Sequence, residues 1–350
     1  MSTFYKLAIK HIHRETQDAV SISFHVPQEL EDFYRFKAGQ YINLKLTLDG
    51  EEIRRAYSLC STPHSHDWTI TVKAVKNGYF SKFANEHLSA GKVLEVGTPE
   101  GRFTFEPDAG RQRNYAAFAA GSGITPVFSI LKTVLEKEPN STFVLVYGNK
   151  SPEQTIFYQA LHDLQLQYPG RLTVHYVFSE AKTDDAQFGR IEKSTVNFVL
   201  KNKHKEKSFA KFYLCGPEEM IQTVSATLKE NNIAENDIKF ELFSSSESAT
   251  SSASSAEGHT QITVMVDDEE TTFDMSQKQT LLEAALKQGL DAPYSCQGGI
   301  CSSCIARIKK GSAEMKKNQI LTDGEIAEGL ILTCQAHPTS SEVYVDYDDI

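Results

Sequence analysis

Between Lys6 and about Phe105, apolar and polar positions alternate in short runs: Ala19–Val26, Tyr41–Leu48, Trp68–Val75 and Val93–Val96. A period of two is that of strands with one face buried. One helix interrupts them, with Phe80, Phe83, Ala84 and Leu88 spaced along a single face. The pattern predicts a small antiparallel barrel carrying one inserted helix. From Tyr115 to Phe243 the rhythm changes. Buried-looking strands (YAAFAA, TFVLVYG, LTVHYVF, FYLCG) alternate with helical faces, Val127, Ile130, Leu131, Val134 and Leu135 in one and Ile221, Val224 and Leu228 in another. Alternating strands and helices build a parallel sheet whose ligands bind at the strand carboxyl ends.

The segment 244–259 breaks both patterns. It reads SSSESATSSASSAEGH, eight serines in sixteen residues with no large apolar side chain. It cannot bury enough surface to offset its conformational entropy, so we expect a flexible linker with a reach of roughly 20–25 Å. The expected division is therefore 1–110 barrel, 111–243 parallel-sheet domain, 244–259 linker and 260–350 a third module. No internal repeat is visible.

Composition narrows the class. The 350 residues are 40% hydrophobic and 23% charged, ordinary for a globular protein, and no apolar stretch approaches the length of a membrane span. The first residues, MSTFYKLAIKHIHRET, show no apolar core of a signal peptide. We expect a cytoplasmic location, with six cysteines that are reduced, metal-bound or catalytic. The net charge of −10 is concentrated at the C-terminal end, where 260–350 holds fifteen acidic residues against seven basic ones. Nucleic acid and membrane are not expected partners. The acidic module either steers a protein with a basic docking face or is a solvated surface.

Four of the six cysteines, Cys296, Cys301, Cys304 and Cys334, stand as C-x4-C-x2-C followed, after 29 residues, by a fourth Cys. This is the spacing of plant-type [2Fe–2S] ferredoxins. Gly298 and Gly299 between the first two let the backbone curl and point N–H groups at sulfur. Zinc is the competing metal for four thiolates, but zinc ribbons place their cysteines as two CxxC pairs, and the second pair is missing. Cys60 and Cys215 fall outside this pattern and read as packed small residues.

Other motifs sit at strand ends. In Arg55-Ala56-Tyr57-Ser58 the Arg suits a phosphate, the Tyr a flat heterocycle and the Ser a ring nitrogen; a strand-end Arg with a core Tyr reads equally well. Lys73 on a strand is followed by Gly78-Tyr79-Phe80-Ser81 at the start of the barrel helix, either a pyrophosphate cradle or an ordinary cap. Gly121-Ser122-Gly123-Ile124-Thr125-Pro126 lies between strand and helix and is neither GxGxxG nor a Walker loop, although its glycines permit close approach of a dinucleotide. Leu214-Cys215-Gly216-Pro217-Glu218-Glu219-Met220 repeats the strand–turn–helix arrangement. Each alone is compatible with a routine turn.

In this order, across the first 220 residues and followed by the cysteine module, the motifs resemble the ferredoxin–NADP⁺ reductase superfamily. The whole chain apart from the linker looks like the reductase components of multicomponent oxygenases, especially the phenylacetyl-CoA epoxidase group, which place the ferredoxin last. The resemblance implies an antiparallel FAD-binding barrel, an α/β NAD(P)-binding domain and an α+β (β-grasp) [2Fe–2S] domain. It implies an NAD(P)H-dependent oxidoreductase passing electrons from NAD(P)H through FAD and the cluster to a protein acceptor, an oxygenase. Arg55 would hold flavin phosphate, Tyr57 pack on the isoalloxazine and Ser58 bond near N5. Gly78, Phe80 and Ser81, with Lys73 nearby, would bind the FAD pyrophosphate. Gly121, Gly123 and Thr125 would serve the nicotinamide nucleotide, with Cys215, Gly216 and Pro217 beside the hydride-transfer site. Phe243 stands where some members carry an aromatic over the flavin. Lys150 and Lys182 favour the 2′-phosphate of NADPH, whereas Glu180 opposes it; the balance leans to NADPH. No acid–base dyad is required, because the flavin takes two electrons together and gives them up singly. Two other readings fit the same residues: a general ferredoxin or flavodoxin reductase, and a redox-sensing protein without turnover.

Overall fold

The computed structural model describes residues 3–48, 50–76, 78–243 and 258–350. The chain forms two compact units, the larger comprising Phe4–Ile53 and Tyr57–Phe243 and the smaller built on the C-terminal residues. Most of the stretch read as a linker lies outside the described residues; its last residue, His259, already belongs to a strand and pairs with Ser276.

The larger unit opens with β1 (Phe4–Thr16), β2 (Ala19–His25), β3 (Tyr41–Leu48), β4 (Glu51–Ser58), β5 (Trp68–Lys73), α1 (Tyr79–His87) and β6 (Val93–Gly97). The strands form one sheet in the order β4-β3-β6-β1-β2-β5. Leu59, just past β4, bridges to Ile70 of β5, so the two ends of the sheet meet and the barrel closes. Its core is filled by Leu7, Ile22, Phe24, Ile70, Val72 and Phe80, the inward members of the alternating runs.

Next come β7 (Asn114–Ala120), α2 (Ile124–Lys137), β8 (Thr142–Asn149), α3 (Tyr158–Gln167), β9 (Leu172–Phe178), β10 (Ala186–Phe188), α4 (Lys193–Asn197), β11 (Phe209–Gly216), α5 (Glu218–Glu230) and β12 (Ile238–Leu242). All six strands are parallel, in the order β10-β9-β8-β7-β11-β12. The order reverses at β7, whose neighbours are β8 and β11. The crevice between the carboxyl ends of β7 and β11 is therefore the topological switch point, where open α/β sheets bind ligands. The apolar runs of β7 and β8 are buried on both faces, as a central parallel strand requires.

The smaller unit contains β13 (His259–Val266), β14 (Glu269–Ser276), α6 (Leu281–Lys287), β15 (Ile305–Lys310), β16 (Ala313–Met315), α7 (Asp323–Ala327), β17 (Leu330–Leu332), β18 (Ala336–Pro338) and β19 (Glu342–Asp346). Five strands make a mixed sheet, β14-β13-β19-β15-β17, with β13 and β19 parallel, the β-grasp arrangement. Both helices start on a Thr-x-x-Glu capping box, Thr280 with Glu283 and Thr322 with Glu325, which satisfies two otherwise orphaned backbone donors each time.

One buried carboxylate ties the entry of the parallel sheet to the end of its first helix. Glu138 has no solvent exposure and accepts hydrogen bonds from the Tyr115 hydroxyl (2.9 Å), the Ser141 hydroxyl (2.8 Å) and the Asp108 amide (3.1 Å). Arg171 donates to the carbonyls of Leu135 and Glu138 that α2 leaves open. Glu138→Ala would take the acceptor from two buried hydroxyls, those of Tyr115 and Ser141, and from the Asp108 amide. We expect it to lower unfolding stability by about 2–4 kcal/mol in urea titrations, against a smaller loss for Glu138→Gln. A change in the Ala variant below about 0.5 kcal/mol, the usual surface effect, would contradict this role.

Candidate redox site

In the barrel, Tyr57 and Ser58 are neighbours on β4 and face opposite ways. The Tyr57 ring lies half-buried, 5.5 Å from the ring of Phe80. Phe80 is itself buried in the barrel core, so its side chain supports Tyr57 and only its backbone remains to meet a ligand. Arg55, also on β4, is exposed and donates to the carbonyl of Arg54. Lys73 ends β5 and lies 3.7 Å from Asp18. Gly78 is the N-cap of α1, and a Cβ there would overlap the Ser81 hydroxyl, which accepts from the Val75 amide at 3.2 Å.

The parallel-sheet motifs meet where the strand order predicts. A Cβ on Gly123 would occupy the place of the Cys215 carbonyl, and a Cβ on Gly216 would fall 3.1 Å from the Ala120 amide. The turn after β7 and the turn after β11 thus touch backbone to backbone, and only glycine fits at the contact. Gly121 adopts a positive φ of 55°, and the Tyr147 hydroxyl of β8 holds its carbonyl at 2.9 Å. Thr125 is buried and spends its hydroxyl proton on the Ser122 carbonyl, fixing the loop from within. Pro126 sits in the first turn of α2, where no backbone donor is needed.

Glu241 on β12 escaped the motif reading. Its side chain is buried, and Ser58 donates to it at 3.3 Å, joining barrel and parallel sheet within the larger unit. Burial pushes its carboxyl up to about 8, against the opposing effect of the Ser58 bond. Burial, then the nearby Glu241 charge, hold the Cys215 thiol well above its usual range, so Cys215 stays neutral. The alternation Ile238-Lys239-Phe240-Glu241-Leu242 carried no signal, because it places Glu241 on the polar face with Lys239. Phe243, just past β12, is partly exposed. Lys150, after β8, makes an exposed ion pair with Glu180 at 3.1 Å, and the ammonium of Lys182 lies over the Phe188 ring. A cleft of about 800 Å³ elsewhere in this unit is lined by His11, Ser21, Ser23, Lys132 and Tyr158 among others, and by none of the residues the motifs single out. Cys60 is buried there and its thiol donates to the Thr69 carbonyl, a packed residue as its sequence context suggests.

In the smaller unit all four cysteines of the spaced set converge and sort into two pairs. Cys296 shares a hydrogen bond with Cys301, and Cys304 with Cys334. The loop supplies donors: the Gly298 amide reaches Cys296 sulfur at 3.3 Å, joined by the amides of Ile300 and Cys301, while that of Gly299 serves Cys334. These bonds, with the partner thiol first, hold Cys296 down at about 6 and lower Cys334, whereas partner and burial raise Cys301 and Cys304. Gln297 and Gly299 take left-handed conformations (φ 51° and 71°) that curl the loop, and a Cβ on Gly299 would meet the Lys317 carbonyl at 2.9 Å. Two thiol pairs inside a ring of N–H donors fit a group with two metal ions and anionic bridging sulfur, one pair per ion.

Comparison with known proteins agrees with each unit. An oxidoreductase FAD-binding domain matches residues 6–105, an oxidoreductase NAD-binding domain 118–226, and a 2Fe-2S iron–sulfur cluster binding domain 264–339. Over its whole length the chain is 38% identical to one of the subunits of 1,2-phenylacetyl-CoA epoxidase of Escherichia coli, covering 99% of both. It is 33% identical to the ferredoxin reductase component of 3-ketosteroid-9-alpha-monooxygenase of Rhodococcus rhodochrous, covering 97% of this chain and 96% of that one. Among solved structures, phthalate dioxygenase reductase aligns over 98% of both chains with a TM-score of 0.61 and 25% identity. The fold and site define a flavin- and iron–sulfur-dependent NAD(P)H oxidoreductase. The chain belongs to the ferredoxin–NADP⁺ reductase superfamily, in the group of oxygenase reductases with a C-terminal plant-type [2Fe–2S] domain.

The raised carboxyl of Glu241 sets a pH dependence. The folded chain keeps a proton that the unfolded chain releases above its ordinary value of 4.5, so this group's stabilising contribution is complete below 4.5 and is lost as pH rises to about 8. Glu241→Gln is neutral throughout. Its stability relative to the parent should rise by on the order of 3 kcal/mol between pH 5 and pH 8.5 in urea unfolding. A difference that does not change with pH would show that Glu241 is ionised in the folded chain.

Proposed function

We propose that this protein is the reductase component of an oxygenase of the phenylacetyl-CoA epoxidase kind, drawing on NADPH and handing electrons one at a time to a separate oxygenase protein. The observation that carries the reading is the presence, on one chain, of four thiols paired two and two and a glycine-lined switch point beside a flavin-type barrel. Bound flavin accepts a hydride and releases single electrons, and the cluster carries one at a time. The protein's part is to position and shield.

Arg55 would neutralise flavin phosphate and Tyr57, braced by Phe80, would cover a ring face. Ser58 would address the ring edge, and Lys73, Gly78 and Ser81 would receive the pyrophosphate at the start of α1. Gly121, Gly123 and Thr125 would shape the nicotinamide crevice with Cys215, Gly216 and Pro217, of which Cys215 is buried and neutral. Phe243 would close the site. Cys296 and Cys301 would hold one iron, Cys304 and Cys334 the other. A cytoplasmic location is in keeping with six cysteines that remain free thiols. Among the described residues no helix is long and apolar enough to cross a membrane.

The NADPH preference rests on Lys150. Its partner Glu180 is as exposed as the lysine itself, 58% each, and a surface ion pair of this kind is exchanged cheaply for a 2′-phosphate. Lys150→Ala should reduce kcat/KM for NADPH about tenfold, the worth of one charged hydrogen bond, and leave NADH unaffected. Equal losses for both nucleotides, or a parent enzyme that prefers NADH, would overturn the preference.

Cys301→Ser separates the two halves of the function. Reduction of a protein acceptor should fall to background, while NAD(P)H-dependent reduction of a dye that accepts electrons from flavin stays near the parent rate. Parallel loss of both activities would count against the two-stage scheme, and a parent protein without NAD(P)H turnover would leave only a sensing role.

A further inference from the structure

The sheet of the smaller unit places an aromatic side chain in the same core as Cys304 and Cys334, the more buried pair of cysteines. β19 runs antiparallel to β15 with Val345 opposite Ile308 and Asp346 opposite Arg307. Continuing that register puts Tyr347 opposite Ala306, on the sheet face shared by Cys304, Ala306 and Ile308. On the other side of β15, Leu332 pairs with Ile305, which brings Thr333 opposite Cys304, and the Thr333 amide and hydroxyl both donate to the Cys304 carbonyl, at 3.0 and 2.9 Å. Tyr347, Thr333, Cys304 and Cys334 therefore converge at one end of the sheet, and Tyr347 lies close enough to both cysteines to feel their charge.

Tyr347 is 5% exposed and belongs to the same apolar core as Cys304 and Cys334. Its amide is engaged with the Met265 carbonyl. By distance and angle its hydroxyl makes no hydrogen bond among the described residues, although the Thr333 hydroxyl lies near enough to favour its ionised form; the Thr333 proton itself goes to the Cys304 carbonyl. A buried hydroxyl without a partner costs about 1–3 kcal/mol, and a core position could be filled by Phe at no such cost. Apart from the Thr333 oxygen, the acceptors this environment offers once the site is loaded are the sulfurs of the Cys304–Cys334 side.

We propose that Tyr347 sets the reduction potential of the cluster by donating a hydrogen bond to the sulfur around the Cys304–Cys334 iron. Each added electron places negative charge on sulfur, and an O–H dipole directed at it stabilises the reduced form more than the oxidised one. The loop amides serve both pairs, whereas Tyr347 serves the more buried pair. It is a positioning group, shaping how readily the cluster accepts an electron without carrying one. The proposal rests on the assignment of a [2Fe–2S] cluster to these cysteines.

The test uses the full chain carrying its cofactors. Tyr347→Phe removes one oxygen and keeps the ring that fills the core. A redox titration of the cluster followed by EPR should show the variant about tenfold less reduced at a given potential, a shift of about −59 mV for one electron. Iron content and thermal stability should match the parent. Replacing Tyr347 by 3-fluorotyrosine, a stronger donor of nearly the same shape, should shift the potential upward, and this variant decides the matter if the Phe protein loses its cluster. An iron-loaded Phe variant with an unmoved potential, or a fluorotyrosine variant that matches the parent, would overturn the role of Tyr347 alone. A parent protein without iron would instead remove the cluster assignment on which it rests.

Discussion

Gly123 has no room for a side chain because the Cys215 carbonyl stands where its Cβ would be. The turns after β7 and β11 must close on each other at that point, and much of the larger unit follows from the contact. It fixes the spacing of the switch-point crevice at the starts of α2 and α5, and β12, paired with β11, carries the Glu241 that Ser58 of the barrel meets. A single methyl group there would force the two strand ends apart. The same device recurs at Gly216 against Ala120 and, in the smaller unit, at Gly299 against Lys317.

The two candidate sites are prepared for opposite charge states. Around the switch point, burial keeps both Cys215 and Glu241 in their protonated forms at neutral pH, so neither places a charge there. Around the four cysteines, backbone amides are gathered to favour sulfur anions, with Cys296 the most readily deprotonated. Uncharged side chains suit hydride movement between stacked rings. A ring of N–H donors suits a cluster whose charge rises by one on each reduction.

Much of this was legible in the chain itself. The runs Tyr41–Leu48 and Leu172–Phe178 are strands with those limits, because both are rich in the β-branched, aromatic and aliphatic side chains that pack on a sheet. The cysteine spacing was sufficient to bring four sulfurs together. What the pattern hid has a common cause: it depends on partners remote in sequence. Glu241 is significant only because Ser58, 183 residues away, lies against it. Tyr347 looks like one more aromatic near the C-terminus until the register of β19 on β15 sets it beside Cys304. Phe80 reads as part of a ligand turn, yet its ring faces the barrel core, since a helix start presents its backbone and not its apolar side chains. The Lys150–Glu180 pair shows that two opposed sequence signals can meet in one exposed ion pair.

The central claim is that electrons entering from a nicotinamide reach the four-sulfur site within this one chain. Anaerobic mixing of the purified full-length protein with NADPH, followed by freeze-quench EPR, tests it most directly. The account predicts the signal of a singly reduced [2Fe–2S] cluster from NADPH alone, without any added mediator. A signal that appears only with a chemical reductant such as dithionite, while the flavin absorption bleaches normally, would contradict it.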